Sequence, residues 1–345
     1  MIKAFLLSIF CFFSLTIYGQ NKTDNQLRDS AFYNDVNKWF SAWKLISKDI
    51  YKIKKTKPVV FVFFDDKYVY STSAVTITNG TEVKGPNLIN LYLTWKKALH
   101  HNNITLPDGA TVPVNLMSFA AQIPDGNDKS FFIMPLFSFW EKSGIKSEEL
   151  GLENLVTGVF IHEFSHSQQM QNFGKQIAIY EQQNNFGIEF SDDLVQHIFV
   201  KDSNYIKYYN KEIQHFYNAT KTNILDKYDV NEGLSIRNQR HKEFFKEQYK
   251  NLNQIDDFFL TMEGLGQYSM YVWLMHPKGA NLERKILIEG IRRKGKWWSQ
   301  DEGFALFLIL DQLTKPKNWA ADMFGNKVQS VIFLIDKELE KQKML

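Results

Sequence analysis

Cysteine is almost missing from this chain, with one residue, Cys11, in 345. It falls inside the first twenty residues, "MIKAFLLSIFCFFSLTIYGQ", where Lys3 precedes an apolar run from Ala4 to Phe13 and small or polar residues follow. That layout is expected of a secretory signal over 1–19, cleaved after Gly19. The mature chain would then have no thiol, which excludes disulfides, thiolate metal ligands and cysteine nucleophiles, so any metal must be held by His, Asp and Glu. No other apolar run is long enough to cross a bilayer, so no membrane insertion is expected once the signal is removed. An excess of one charge is also absent. Lys and Arg number 41 against 38 Asp and Glu, interleaved for a net +3, so no basic arm for nucleic acid is present and the Lys-rich stretches read as solvated surface. Repeats and low-complexity linkers are missing too.

What the chain does contain is apolar and aromatic: 44% hydrophobic and 15% aromatic residues, ample for a large core. Phe32, Val36, Trp39, Trp43, Ile46 and Ile50 recur at three-to-four spacing and predict an amphipathic helix over 31–51. "PVVFVFFDD" (58–66) reads as a buried strand, and "YVYSTSAVTI" (68–77) as another. "LINLYLTWKKALHH" (88–101) returns to helical spacing. "VNLMSFAAQI" and "SFFIMPLFSFW" flank Pro124-Asp125-Gly126-Asn127 and predict a hairpin. Pro135 cannot donate to a ladder, which favours an edge strand or bulge there. Ser147, with Glu148 and Glu149, reads as a helix start. A longer helix is expected from about Glu153 to Phe173, stopped by Gly174. Beyond 176 strand signals are few. The expected fold class is α+β, mainly α: a lobe over 20–175 with a small mixed sheet, then a helical lobe over 176–345, the two acting as one unit.

"GVFIHEFSHSQQM" (158–170) carries the chemistry. His162 and His166 stand four apart, so on a helix they lie one turn above each other on one face and can close on a single Zn²⁺. Glu163 points beside that face and reaches a water at the metal without occupying a coordination position. Leu155, Val156, Val159 and Phe160 supply apolar backing. Gly158, one turn before His162, keeps the face narrow and permits close approach of a neighbouring strand or of substrate.

"FIHEFSHSQQM" resembles the active-site helix of the zincin metallopeptidases. The resemblance implies one Zn²⁺ per chain on His162 and His166, Glu163 activating the water, a small twisted sheet ahead of the helix, and a downstream third ligand. It also implies a substrate cleft beside an edge strand, for which "SFFIMPLFSFW" is the expected receiver of an extended peptide. "SQQMQNFGK" after His166 lacks the third His of the metzincin branch. The gluzincin branch draws a Glu from a second helix, and "TMEGLGQYSMYVWL" is similar to its phrase, with Glu263 as ligand and Gly264, Gly266 and Tyr268 around it. Glu263 sits among Leu260, Met262, Leu265, Met270, Tyr271 and Leu274, where an ionised carboxylate needs a strong partner. It lies 97 positions beyond His166, farther than that branch commonly shows. Glu181, Glu189 and Glu232 therefore stay open as third ligands, and Glu263 requires 176–260 to be a helical excursion that returns.

An oxyanion-stabilising donor is sought in Tyr268 and in the cluster Arg237, Arg240 and His241; packing and ion pairing are the ordinary alternatives. "GKWWSQDEGFALFLILDQL" reads as a buried helix whose capped start is Ser299-Gln300-Asp301-Glu302, with Trp298 or Gln300 as candidate cleft residues. The expected function is that of a secreted zinc metallopeptidase acting on a peptide or protein substrate. A zinc hydrolase of a non-peptide ester or amide, and a secreted binding protein with an inactive zincin fold, are the alternatives.

Overall fold

The structure, a computed structural model, describes residues 2–124 and 129–343, with side chains from Asp24 onward. The signal-like segment 1–19 therefore lies outside the described side chains, and the turn at 125–128 lies outside the described residues. Among the described residues no helix is long and apolar enough to cross a membrane.

The chain is α+β and mainly helical. Helix α1 (Ile2–Ile46) ends in a π-type turn, Ser47–Tyr51, and is followed by the sheet strands β1 (Val59–Phe64), β2 (Tyr68–Ser71), β3 (Thr81–Val83), β4 (Trp95–Leu99), β7 (Phe119–Gln122) and β8 (Ser130–Pro135). A separate two-stranded ribbon is formed by β5 (Asn103–Thr105) and β6 (Thr111–Pro113). Strand order is β3-β4-β2-β1-β8-β7, with β1 and β8 parallel and every other pair antiparallel. The continuous apolar run of β1 is explained by burial of both faces. Phe61 and Phe63 point into the main core with Phe132 and Met134, whereas Val62 and Phe64 point into a smaller one with Phe131, Ile133, Ile104 and Leu106. Successive side chains on a strand face opposite ways, so one sequence run feeds two cores.

Helices α2 (Phe137–Lys142), α3 (Leu152–Gln169), α4 (Lys175–Gln183), α5 (Leu194–Phe199), α6 (Ser203–Ala219), α7 (Lys227–Phe244), α8 (Leu252–Met275), α9 (Arg284–Ile291), α10 (Trp298–Leu313), α11 (Ala320–Met323) and α12 (Val331–Lys343) complete the chain. The apolar stripe of α1 docks on the sheet and on α3. Phe32 stacks on Tyr70 with ring centroids 4.3 Å apart, and Trp39 stacks on Phe160 at 5.7 Å. Phe160 and Phe164 thus turn one side of α3 toward the sheet, where Phe164 stacks on Phe61. The other side packs on α8, and α8 packs in turn on α10. Being enclosed by both, α8 is apolar nearly all round. The excursion over 176–260 is helical, as expected, with α6 and α7 paired and α6 resting on α10. One apolar cluster runs from Phe32 to Leu339, so both lobes share a core.

Several local expectations fail for identifiable reasons. Residues 88–101 form no helix. Leu88 and Leu91 make a local bridge, and Trp95 and Lys97 alternate inward on β4 between β2 and β3. The hairpin around 125–128 forms, but its second strand is not the edge. β8 runs between β1 and β7, and Pro135 is tolerated because it is the last residue of the strand, with the ladder resumed by Leu136 N–H donating to Phe64 O at 2.7 Å. The edge beside the histidine helix is β7. Ser147 caps a preceding turn through Leu150 N–H, and α3 itself begins at Leu152. Gly174 stops nothing. Its backbone is ordinary right-handed helix, so the chain passes through a π-type turn, Met170–Gly174, straight into α4. The start of α10 lies where expected but makes no capping box. Ser299 donates instead to Asp193, and Asp301 accepts from Tyr217 and from the Arg293 N–H.

Candidate metal centre

Because α3 turns its aromatic side to the sheet, the residues between those aromatics face α8. His162 and His166 stand there one turn apart, their rings nearly perpendicular at 89° and their Nε2 atoms 3.0 Å apart. From α8, Glu263 presents one carboxylate oxygen to each: Oε2 lies 3.2 Å from His162 Nε2 and Oε1 lies 3.1 Å from His166 Nε2. All three side chains are buried, and their donor atoms fall within 4.8 Å of one another. Among the described residues no other such cluster of His, Cys, Asp and Glu occurs.

The donor set fits a zinc ion. Ligands at about 2.05 Å around a tetrahedral centre stand about 3.3 Å apart, and the separations here run from 3.0 to 3.2 Å. The outer side of the site is unusual. Among the described residues neither His162 Nδ1 nor His166 Nδ1 has a hydrogen-bond partner, where metal-bound imidazoles are commonly anchored by a carboxylate or carbonyl. The backing of His162 is steric instead. A Cβ on Gly266 would come within 2.7 Å of His162 Nδ1 and 2.8 Å of Cε1, so the bare α8 backbone is what lets this ring lie flat against it. The close neighbour that Gly158 admits is likewise α8, through Met270, and not a strand.

Without a metal the three groups contend for protons. Burial, the larger effect, lowers His162 despite its hydrogen bond to Glu263. Burial opposes charge on His166 as well, but Glu263 and Glu163 outweigh it and lift the imidazole to about 9. Glu263 is buried too, yet the two imidazoles hold its carboxyl well below the ordinary range. Glu163, half-buried beside this cluster, is pushed up by burial to about 8 against the pull of His166. A cation bound between these donors would relieve the contest, since it favours neutral imidazoles and ionised carboxylates together.

Glu263 is therefore the carboxylate that the fold brings to the histidines. Glu181 and Glu189 are exposed on and after α4, and Glu232 lies on α7, where the adjacent Gly233 admits the Phe216 ring. The other proposed site residues are not brought there. Tyr268 is five residues beyond Glu263, about 140° round the helix. Its hydroxyl donates to Asp311 Oδ1 at 2.6 Å, and its ring stacks on Phe307. His241 lies 3.0 Å from Asp256 Oδ2, and Asp256 precedes Glu263 by two turns, about 10 Å along α8. Arg237 and Arg240 join the same buried charge network, with Arg240 bonded to Glu212 and Glu302. Trp298 is buried on Tyr205 and Tyr209.

Gln300 does reach the vicinity, and it brings a residue the sequence did not single out. Arg293, half-buried in the loop between α9 and α10, donates from Nε to Gln300 Oε1 at 2.9 Å. The Gln267 amide stands 3.0 Å from the same Nε and 3.2 Å from Nη2. Burial lowers the Arg293 guanidinium while the charges of Glu263, Asp301 and Glu163 pull it back up. The only signal in the sequence was a basic run, "RRKGK", which reads equally as solvated surface. Comparison with known proteins finds no family model, no curated protein and no solved structure that matches the chain.

Proposed function

We propose that this protein is an exported zinc-dependent hydrolase, most simply a metallopeptidase of gluzincin type. The observation that carries the reading is the convergence of His162, His166 and Glu263 at zinc-ligand spacing, with Glu163 one residue from the first ligand. A Zn²⁺ held by His162, His166 and Glu263 would supply Lewis acidity toward a carbonyl oxygen and would make water more acidic. Glu163 takes a proton from the attacking water and returns it to the leaving amine. Met270 against Gly158 and the bare backbone at Gly266 keep the imidazoles in register with Glu263.

A peptide substrate is favoured by the end of the sheet that lies beside α3. β7 ends the strand order there, so an extended chain added to the sheet would pair with its outer edge. Export rests on the pattern of the first nineteen residues alone. The test is Glu163→Gln in zinc-loaded protein. Peptide hydrolysis is expected to disappear while zinc stoichiometry by elemental analysis stays at one per chain. Retained turnover in Glu163→Gln refutes the assignment of the base, and a wild-type chain that takes up no zinc refutes the reading as a whole.

A further inference from the structure

We propose that Arg293 reads the substrate: its guanidinium binds a carboxylate carried by the peptide, next to the bond that Glu163 addresses. This rests on the hydrolase reading above and deepens it by naming a substrate class.

The loop that bears Arg293 is built, not loose. It turns back at Lys294 and Gly295, both with positive φ (50° and 79°). It is then fastened to the first turn of α5 and its N-cap, Asp193. Gln196 Nε2 donates to Lys296 O at 3.0 Å, the Trp298 N–H donates to Gln196 Oε1 at 3.0 Å, and Ser299 Oγ donates to Asp193 Oδ1 at 3.1 Å. Two neighbouring cations are already satisfied. Arg292 lies over the Tyr217 ring at 3.6 Å, and Lys294 pairs with Glu289 at 2.8 Å. Arg293 differs. Among the described residues no carboxylate is in ion-pair contact with it. Its side-chain hydrogen bond goes to the neutral amide of Gln300, the Gln267 amide lies 3.0 Å from Nε, and its guanidinium stands 5.3 Å from the Trp297 ring.

A half-buried guanidinium held by neutral groups is oriented but not neutralised, and its remaining donors match a carboxylate in bidentate fashion. Position makes this relevant to the site. Gln267 follows Glu263 by one helical turn, so the group that contacts Gln267 lies within one turn of a metal ligand. On a peptide that carboxylate is either the free C-terminus or an Asp or Glu side chain.

The experiment uses the full, zinc-loaded chain. Calorimetric binding of succinate is compared with butyrate in wild type, Arg293→Lys and Arg293→Gln, with zinc content measured in each. Wild type is expected to favour succinate by about 10- to 100-fold, the range of a charge-assisted pair. Arg293→Gln is expected to lose that preference, and Arg293→Lys to keep part of it, all at unchanged zinc stoichiometry. KM values for matched peptides then separate the sources. Preference for a free over an amidated C-terminus identifies the terminus, and preference for Asp or Glu in amidated peptides identifies the side chain. A zinc-bound wild type with no succinate preference, or an Arg293→Gln that keeps it, overturns this inference alone. A chain that takes up no zinc removes the reading beneath it as well.

Discussion

Gly266→Ala tests the packing of α3 on α8 at the point where it shapes the candidate metal site. The added methyl would stand 2.7 Å from His162 Nδ1, 2.8 Å from Cε1 and 2.9 Å from Cγ, so it meets the face of the ring and not a flexible tip. An ordinary contact of this kind is about 3.5 Å, so the imidazole must retreat by roughly 0.7 Å or the helices must part. A zinc ligand tolerates only about 0.2 Å. Relief of such overpacking is worth about 1–3 kcal/mol, and if it falls on the ligand geometry zinc binding weakens by about 5- to 150-fold. Alanine is also the better helix former by roughly 1 kcal/mol, so the metal-free fold should hold. Zinc affinity is measured by competition against a chelator of known strength, with far-ultraviolet circular dichroism and thermal unfolding of the metal-free protein as controls. The expected result is a large loss of affinity at near-normal helicity. Wild-type affinity in Gly266→Ala would falsify the placement of His162 against the α8 backbone.

Three other perturbations probe the surroundings of the site. Gly264→Ala would set a Cβ 2.5 Å from the Gly303 carbonyl carbon and oxygen; backbone cannot step aside as a ring can, so a loss of about 3 kcal/mol in unfolding free energy is expected with or without zinc, and a neutral substitution contradicts the α8–α10 contact. Arg240→Met strands Glu212 and Glu302, both essentially without solvent exposure, and is expected to cost about 3–5 kcal/mol, much of it recovered when Glu212→Met is added; denaturant unfolding of both variants checks this. His241 is held down to about 4 by burial and by Arg237, against an ordinary value of 6.5. Between those values the unfolded chain takes up a proton that the folded chain refuses, so this contribution is intact above about pH 6.5 and falls as pH drops toward 4, by about 3 kcal/mol in all. His241→Gln should remove that part of the pH dependence, and unfolding curves of both proteins at pH 5 and pH 7 that differ by the same amount refute it.

Features governed by neighbours along the chain were legible, and features governed by neighbours in space were legible only where chemistry constrained them. The stripe from Phe32 to Ile46 and the turn spacing of His162 and His166 follow from 3.6 residues per turn, and both hold. The segment 88–101 misled because Leu88, Leu91 and Trp95 imitate helical spacing, whereas Trp95 and Lys97 are fixed by pairing with β2 and β3, which no local pattern encodes. The same blindness made β8 an edge. Pro135 limits what a strand can donate at one residue and does not say which strands flank it.

Glu263 is the informative exception, since it lies 97 positions from His166 and was still found. A carboxylate on a stretch of helix that is buried nearly all round has no inexpensive explanation except a strong partner, and the fold supplies two imidazoles. Tyr268 sits in the same phrase but is not brought to the histidines, and a tyrosine on a buried helix has an inexpensive explanation. Its hydroxyl needs one acceptor, and Asp311 on α10 provides it. Arg293 is the converse case. Lysine and arginine in a turn are usually solvated, so the sequence offers no penalty that would mark one of them, and only the loop's attachment through Asp193 and Gln196 brings that guanidinium toward Glu263. The legibility of a candidate site residue here follows the cost of leaving it unexplained: high for a buried carboxylate, moderate for paired imidazoles, and near zero for an arginine in a loop.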